Sequence, residues 1–386
     1  MGRDINVKSY EDTIEICRKN HKLEKSIKES IASQKVIKES DPVDVPSHEH
    51  SGLRAWVIVS DLRTLEAFNA YNPGKYSHVA VLNSTRDQPG GRVSEGETGL
   101  QESLCRCTTL KPCLDACESG FYNSEERKAS PIYNDDVIFT PGVTVIKEDG
   151  YSCKTMPESE WCDIDVISCT PPDASSLMKS EPGKAKAFSE EQFTRILEMR
   201  FRRIFDVALS NGCDSIILGA FGCGRAKNPA GVVAQAAANA VKDYLYAFRN
   251  IIFAIHDEFK HSTFKTFQKT IYGTLSNVNI PDLDQIKDYI LYDHLIALED
   301  AYKYAVNEPQ VTKLAVYGIA DYCLNVIVWI NEPSEENCSR IGSKIYKCGV
   351  FPYIIGDPSV RDGNGSYANR GLVIYDSSNS SQGKDL

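Results

Sequence analysis

Six short apolar runs, rich in β-branched residues, punctuate the first two thirds of the chain. They are AWVIVS at 55–60, HVAVLN at 78–83, DVIFT at 136–140, DIDVISC at 163–169, DSIILGAF at 214–221 and NIIFAIHD at 250–257. Runs of this kind, bounded by turn residues, predict strands buried in a sheet that is covered on both faces. Between them the spacing changes to that of helices. Phe193, Ile196, Leu197, Phe201, Ile204, Phe205 and Ala208 recur at helical intervals. Ser189 and Gln192 form a capping-box pair before them, and Gly212 supplies the stop. Asn228 and Pro229 predict an N-cap and first turn for a helix reaching Phe248. Residues 8–40 read as a charged helix with Tyr10, Ile14 and Cys17 on one face, and the prolines and histidines of DPVDVPSHEHSG end it. Strand, glycine turn and helix alternate, which makes residues up to about 258 an α/β domain.

Past residue 258 the texture changes. DLDQIKDYILYDHLIALEDAYKYAVNE predicts a long amphipathic helix. VTKLAVYGIADYCLNVIVWINE, a helical SEENCSRIGSKIYKC, VFPYIIGDP and GLVIYD follow, together suggesting a smaller α+β unit. The polar end, SSNSSQGKDL, has too little apolar content to order itself.

Composition narrows the functional classes. A length of 386 residues suits two domains. The net charge of −10 argues against broad binding to nucleic acid or anionic membranes, so phosphate ligands would be held by backbone amides and a few local cations. The start shows no secretory signal, no run of 18 apolar residues occurs, and Asn6 stands where N-myristoylation wants Ser or Thr. Thirteen cysteines, an odd number scattered through apolar runs, suit free thiols in a reducing, cytoplasmic compartment.

Two glycine stretches carry the candidate chemistry. QPGGRVSEGETGLQES (88–103) ends on an acid at the start of a helix, and as a bare turn it would be unremarkable. GAFGCGRAKNP (219–229) joins a strand to a helix, where backbone N–H groups and a helix dipole can face an anion. Its order, G-x-x-G-x-G, departs from the dinucleotide fingerprint, and it can equally be a loop-packing device.

Taken in order, AVLNSTRDQPGGRVSEGETGLQESLCRCTTLKPCL, FYNSEERKASPIYNDDVIFTPGVTVIKEDG, DIDVISCTPPD and LGAFGCGRAKNP resemble the microbial-type poly(ADP-ribose) glycohydrolases, a branch of the macrodomain family, over residues 8–258. The resemblance implies a macrodomain-like α/β/α sandwich at 51–258, with an N-terminal helical extension at 1–50 packing on it. A C-terminal α+β unit at 259–376, a possible target-recognition module, and a disordered tail at 377–386 complete the organisation. It further implies an ADP-ribose cleft and cleavage of a ribose–ribose bond by a three-glycine loop followed by Gln-Glu-Glu.

Carried over, the glycine loop falls on Gly90, Gly91 and Arg92, and Gln-Glu-Glu on Leu100, Gln101 and Glu102. Glu102 then matches the catalytic glutamate. Gln101 replaces the other acid, Leu100 the glutamine, and Arg92 the third glycine. Asn83 matches the asparagine that ends the preceding strand, either a ribose donor or an ordinary turn residue, with one residue fewer between it and Pro89. The second diphosphate loop comprises Gly219, Ala220, Phe221, Gly222, Cys223, Gly224 and Arg225, and Ala226 replaces a frequent aromatic.

The implied activity is ADP-ribosyl glycohydrolysis of a modified protein or of poly(ADP-ribose), releasing ADP-ribose, with Glu102 as general acid and base. It calls for no cofactor and no metal; Cys105, Cys107, Cys113 and Cys117 lack the usual zinc spacing, and His48, His50, His256 and His261 form no ligand set. Asp135 and Asp136 read as pins at a strand entrance. The alternative is a non-catalytic ADP-ribose reader.

Overall fold

The computed structural model describes residues 2–46, 55–71, 78–130, 132–150, 153–174, 189–257, 262–275, 292–320, 323–331, 334–356 and 372–374. They divide into two units. The first takes in the described residues of 1–48 and 56–271, the second those of 49–55 and 272–386.

In the first unit, β1 (Lys35–Ile37), β2 (Trp56–Ser60), β3 (Val79–Ser84), β4 (Val137–Val145), β5 (Cys162–Cys169), β6 (Ser215–Leu218) and β7 (Asn250–Ala254) form one sheet. Its order is β1-β4-β5-β3-β6-β7-β2. The strands from β5 through β2 pair in parallel, while β4 and β1 add antiparallel at one edge. The inner strands are buried throughout: Val79 to Leu82, Ser215 to Leu218 and Asn250 to Ala254 each expose less than a tenth of their surface. That burial explains their continuous apolar runs. The architecture is mixed α/β, a seven-stranded, mostly parallel sheet with helices packed on it.

The helices covering the sheet follow local signals closely. α1 (Gly2–Lys19) and α2 (His21–Ser33) precede β1, and α3 (Thr64–Tyr71) lies between β2 and β3. α4 (Leu100–Cys107), α5 (Leu110–Ala116) and the single turn α6 (Glu125–Lys128) fill the span between β3 and β4. α7 (Glu190–Ser210) opens on the Ser189 capping box with both reciprocal hydrogen bonds made. It buries Phe193, Leu197, Phe201, Ile204 and Phe205. α8 (Ala230–Tyr244) and α9 (Ser262–Leu275) follow, and Phe267 of α9 packs on Phe253 with ring centroids 6.1 Å apart.

Four local expectations change. The charged stretch 8–40 is two helices and a strand, because the Asn20 side chain accepts from Lys22 and Leu23 N–H and starts α2. The strand at 136–140 continues to Val145 through a bulge at Pro141-Gly142, where Gly142 takes φ 64°. The run 214–221 is a strand only to Leu218. Asn228 does not cap α8: Pro229 occupies that position, and the Asn228 amide instead ties the preceding loop.

Asp135 and Asp136 do anchor the entrance to β4. Asp135 pairs with Arg200, and Asp136 accepts Glu39 N–H at 2.7 Å and Lys38 Nζ at 3.3 Å.

The second unit holds α10 (Tyr292–Asn307), β8 (Val311–Ala320), β9 (Cys323–Ile330), α11 (Glu335–Tyr346), β10 (Val350–Gly356) and β11 (Leu372–Ile374). The sheet order is β11-β10-β9-β8, with β9 and β10 parallel. Leu298, Ala301, Val326, Val328, Ile341 and Ile354 share its core. The front of the expected long helix (282–291) and the tail (377–386) lie outside the described residues. Among the described residues no helix is long and apolar enough to cross a membrane.

Candidate functional site

Glu102 sits in the first turn of α4, whose N-cap is Gly99 and whose start carries no side-chain cap. Its side chain turns into a cleft of about 1530 Å³ yet the residue is only 7% exposed. The two carboxylate oxygens have different neighbours. Oε1 accepts the Arg92 N–H at 3.1 Å, and a Cβ on Gly91 would collide with it. Oε2 occupies the place that a Cβ on Gly99 would need. Gly90 and Gly91 take φ 71° and 59°, conformations that let the loop fold tightly over the acid.

The two glycine loops therefore do different work. In the first, Gly91 N–H bonds Gln88 O at 3.2 Å and Arg92 N–H is held by Glu102, so the loop fixes a carboxylate. Gly90 lies against Lys111 and Cys105 rather than the cleft. Gln101, 4% exposed, donates through Nε2 to Gln88 O at 3.2 Å. The Arg92 guanidinium is half exposed, with one distant partner, Glu95 at 3.9 Å.

The second loop is open. Residues Gly219, Ala220, Phe221, Gly222, Cys223, Gly224, Arg225 and Ala226 all line the cleft. The backbone N–H groups of Phe221, Gly222, Gly224 and Arg225 donate no hydrogen bond among the described residues. Unbonded amides beside a helix start are suited to an anion. Gly222 takes φ 74°, and the Asn228 amide fills the space beside it. The Phe221 ring is buried against Phe201, at 5.7 Å between centroids. Burial pushes the Cys223 thiol up to about 12, so it stays protonated. Arg225 is exposed and has no ion-pair partner among the described residues.

Asn83 is fully buried at the β3–β5 seam and is not among the residues that line the cleft. Its Nδ2 donates to Ser168 Oγ at 2.9 Å, and its Oδ1 has no partner.

Several cleft residues carried no local signal in the sequence. Gly2, Ile5 and Asn6 of α1 form part of the wall. Asn6 Nδ2 donates to Gly96 O at 3.0 Å, and Gly96, at φ 75°, abuts the Arg3 carbonyl. Asp149 joins two helix starts in the cleft: Oδ1 accepts Ser103 Oγ at 2.7 Å and Oδ2 accepts Leu65 N–H at 3.3 Å. Arg86, paired with Asp173 at 2.5 Å, and Arg106, donating to Glu97 O at 2.6 Å, also line it. Behind them the fully buried Arg127 guanidinium holds Arg86 O, Phe121 O and Thr170 Oγ1. No group of His, Cys, Asp or Glu with metal-binding geometry exists among the described residues.

Residues 7–148 match the family described as microbial-type PARG, catalytic domain.

That segment of the chain includes the Glu102 loop. The fold of the chain is similar to the poly(ADP-ribose) glycohydrolase of Thermomonospora curvata, at 20% identity and TM-score 0.61, covering 69% of this chain and 100% of that one. The same enzyme bound to the inhibitor ADP-HPD matches at TM-score 0.58 and 20% identity, over 69% of this chain and 98% of that one. The Deinococcus radiodurans PARG in complex with ADP-ribose matches at 22% identity and TM-score 0.55, over 64% of this chain and 97% of that one. No curated protein matches the sequence. The matched segment ends one residue before Asp149.

Proposed function

We propose that this chain is an ADP-ribosyl glycohydrolase that uses Glu102 as its general acid and base. The observation that carries this reading is the placement of one nearly buried carboxylate, gripped between Gly91 and Gly99, in a cleft whose opposite loop offers open amides. The amides of 221–225 suit the diphosphate of ADP-ribose, and the unpartnered Asn83 Oδ1 suits a ribose hydroxyl.

In the reaction, protonated Glu102 donates to the oxygen that links the ribose anomeric carbon to its attachment. The carbon–oxygen bond breaks with oxocarbenium character, and the carboxylate then takes a proton from the attacking water. ADP-ribose and the freed hydroxyl leave, and Glu102 ends protonated as it began. Gln101, whose amide donates to Gln88 O, cannot share that proton.

The substrate we favour is ADP-ribosylated protein over long polymer, because the Arg92 side chain occupies the mouth beside Glu102 where the resembling family has glycine. The buried free thiols suit a reducing compartment, and we place the protein in the cytoplasm. We assign residues 272–386 to target selection; their removal should slow action on modified protein and spare small ADP-ribose conjugates.

The decisive experiment compares wild type with Glu102→Gln on ADP-ribosylated protein and on poly(ADP-ribose). Free ADP-ribose should appear only with wild type, while calorimetry shows both proteins binding ADP-ribose. Undiminished release by Glu102→Gln removes the assignment. Binding by wild type with no turnover on either substrate would favour a reader, the reading suggested by Gln101 bonding its own loop rather than facing a sugar.

A further inference from the structure

Two thiols meet directly behind the Glu102 helix, and the mechanism uses neither. Cys107 is the last residue of α4 and is fully buried; Cys153, 5% exposed, follows the turn that carries Asp149. The sulfurs grip opposite ends of that turn: Cys107 Sγ donates to Glu148 O at 3.5 Å and Cys153 Sγ to Gly150 O at 3.1 Å. Each thiol is the largest influence on the other's acidity, which puts the two side by side, and the Ser9 hydroxyl of α1 and the Arg106 guanidinium act on Cys153 as well. Helix, turn and N-terminal extension thus converge on one pair of sulfurs.

Two features single out Cys153. It holds φ 41°, a left-handed conformation that a non-glycine residue rarely adopts. It is also the one described cysteine whose thiol is made more acidic. The neighbouring Cys107 thiol pulls it down to about 5 against the effect of burial, with help from Ser9 and Arg106. Burial raises the thiols of Cys17, Cys105, Cys113, Cys169, Cys213 and Cys223 instead. Gly150, whose carbonyl accepts from this thiol, lines the cleft, and so does Arg106.

We propose that Cys153 and Cys107 form a redox modification site, closed by peroxide into a reversible disulfide that shuts down the adjoining cleft. The Cys153 thiolate attacks one oxygen of hydrogen peroxide, the O–O bond breaks, and hydroxide departs, leaving a sulfenic acid. Cys107 sulfur then attacks the Cys153 sulfur; the S–O bond breaks, and the Cys107 proton goes to the leaving hydroxide as water. Two electrons pass from the sulfurs to peroxide, and a thiol reductant reverses the change.

A disulfide brings two sulfurs to about 2.05 Å and confines their Cα separation to roughly 4.4–6.8 Å. Unlinked thiols stand farther apart, so the bond shifts the 148–150 turn against the end of α4. Asp149, at the centre of that turn, holds Ser103, the neighbour of Glu102. A displacement of about 1 Å at such a carboxylate can cost roughly 10²-fold in rate. This consequence rests on reading Glu102 as the acid; the disulfide itself does not.

The test treats the full chain with limiting hydrogen peroxide, alkylates the remaining thiols and maps peptides by mass. A Cys107–Cys153 cross-link should form ahead of any other oxidation, with loss of two hydrogens, and dithiothreitol should reverse it. Cys153→Ser and Cys107→Ala should each abolish it, and melting curves for both variants show that they fold. In parallel, ADP-ribose release should fall by about 10²-fold on oxidation and return on reduction. Release by Cys153→Ser should ignore peroxide. Oxidation that begins at other cysteines, or that halts on Cys153 without a cross-link, overturns the site. A cross-link with unchanged release overturns the control of the cleft. If the reduced protein releases nothing, the glycohydrolase reading falls, and the peptide map still decides the thiol pair by itself.

Discussion

The carboxylate of Glu102 fills the space that a side chain on Gly99 would take, three residues earlier at the cap of the same helix. Gly91 confines the other oxygen in the same way. The acid is therefore positioned by missing side chains, and adding them back separates catalysis from folding. Gly99 has φ −63°, which alanine accepts, so Gly99→Ala should fold and melt like wild type while losing about 10²-fold in kcat. Gly91→Ala should lose comparable activity and also about 1–2 kcal/mol of stability, because φ 59° penalises a Cβ. Steady-state rates beside thermal melts distinguish the two.

Asn83 should contribute to binding more than to the fold. Its Oδ1 is buried and has no protein partner. Asn83→Ala should weaken ADP-ribose binding about tenfold, the worth of a hydrogen bond of roughly 1–1.5 kcal/mol. Calorimetry at fixed salt measures it, and wild-type affinity in the variant would remove Asn83 from the site.

Arg127 is the reverse case. It is fully buried and does not itself line the cleft, yet it fastens the cleft residue Arg86 by its carbonyl and two neighbouring segments through Phe121 O and Thr170 Oγ1. Its truncation strands three buried acceptors. Arg127→Ala should cost about 3 kcal/mol or more, read as a lower urea midpoint at unchanged slope.

The N-terminal helix should matter through packing and not through charge. Arg3 and Glu97 make an exposed ion pair at 2.8 Å, with Arg3 71% exposed, a class worth about 0–1 kcal/mol. Arg3→Ala should leave activity nearly unchanged. Gly96→Ala drives a Cβ into the Arg3 backbone carbonyl and forbids φ 75°, so α1 or the loop must move. Faster amide exchange across 93–99 together with a lower rate is the expected outcome.

In the second unit, hydrogen bonding to Arg340 pulls the Glu308 carboxyl down to about 2 from its ordinary 4.5. A depressed carboxyl stabilises the fold in its ionised form. That contribution is complete above about pH 4.5 and disappears as the pH falls towards 2. Melts of wild type and Glu308→Gln should therefore differ most above about pH 5 and converge near pH 2. A constant gap across that range would contradict the pairing.

Sheet, helix starts and both glycine loops were readable because each rests on interactions within a few residues. The Ser189 box closes over three positions, and buried strands advertise themselves as apolar runs. The resemblance also brought Gly91, Gln101, Glu102 and the 219–225 loop to notice, and all of them line one cleft. Local rules misled at Asn228, a residue with strong capping propensity whose amide is claimed by Ala174 and Phe221. They also misled at Pro141-Gly142, which reads as a strand end and is a bulge.

What remained hidden depends on partners far apart in the chain. Asn6 reaches Gly96 across 90 positions, Ser103 reaches Asp149 across 46, and Arg127 reaches Thr170 across 43. The order of residues was enough to state which elements form and where an acid would face an anion loop. Whether the acid is gripped, which loop keeps its amides open, and which thiols touch were settled when the chain closed on itself, because burial and distant hydrogen bonds have no local pattern.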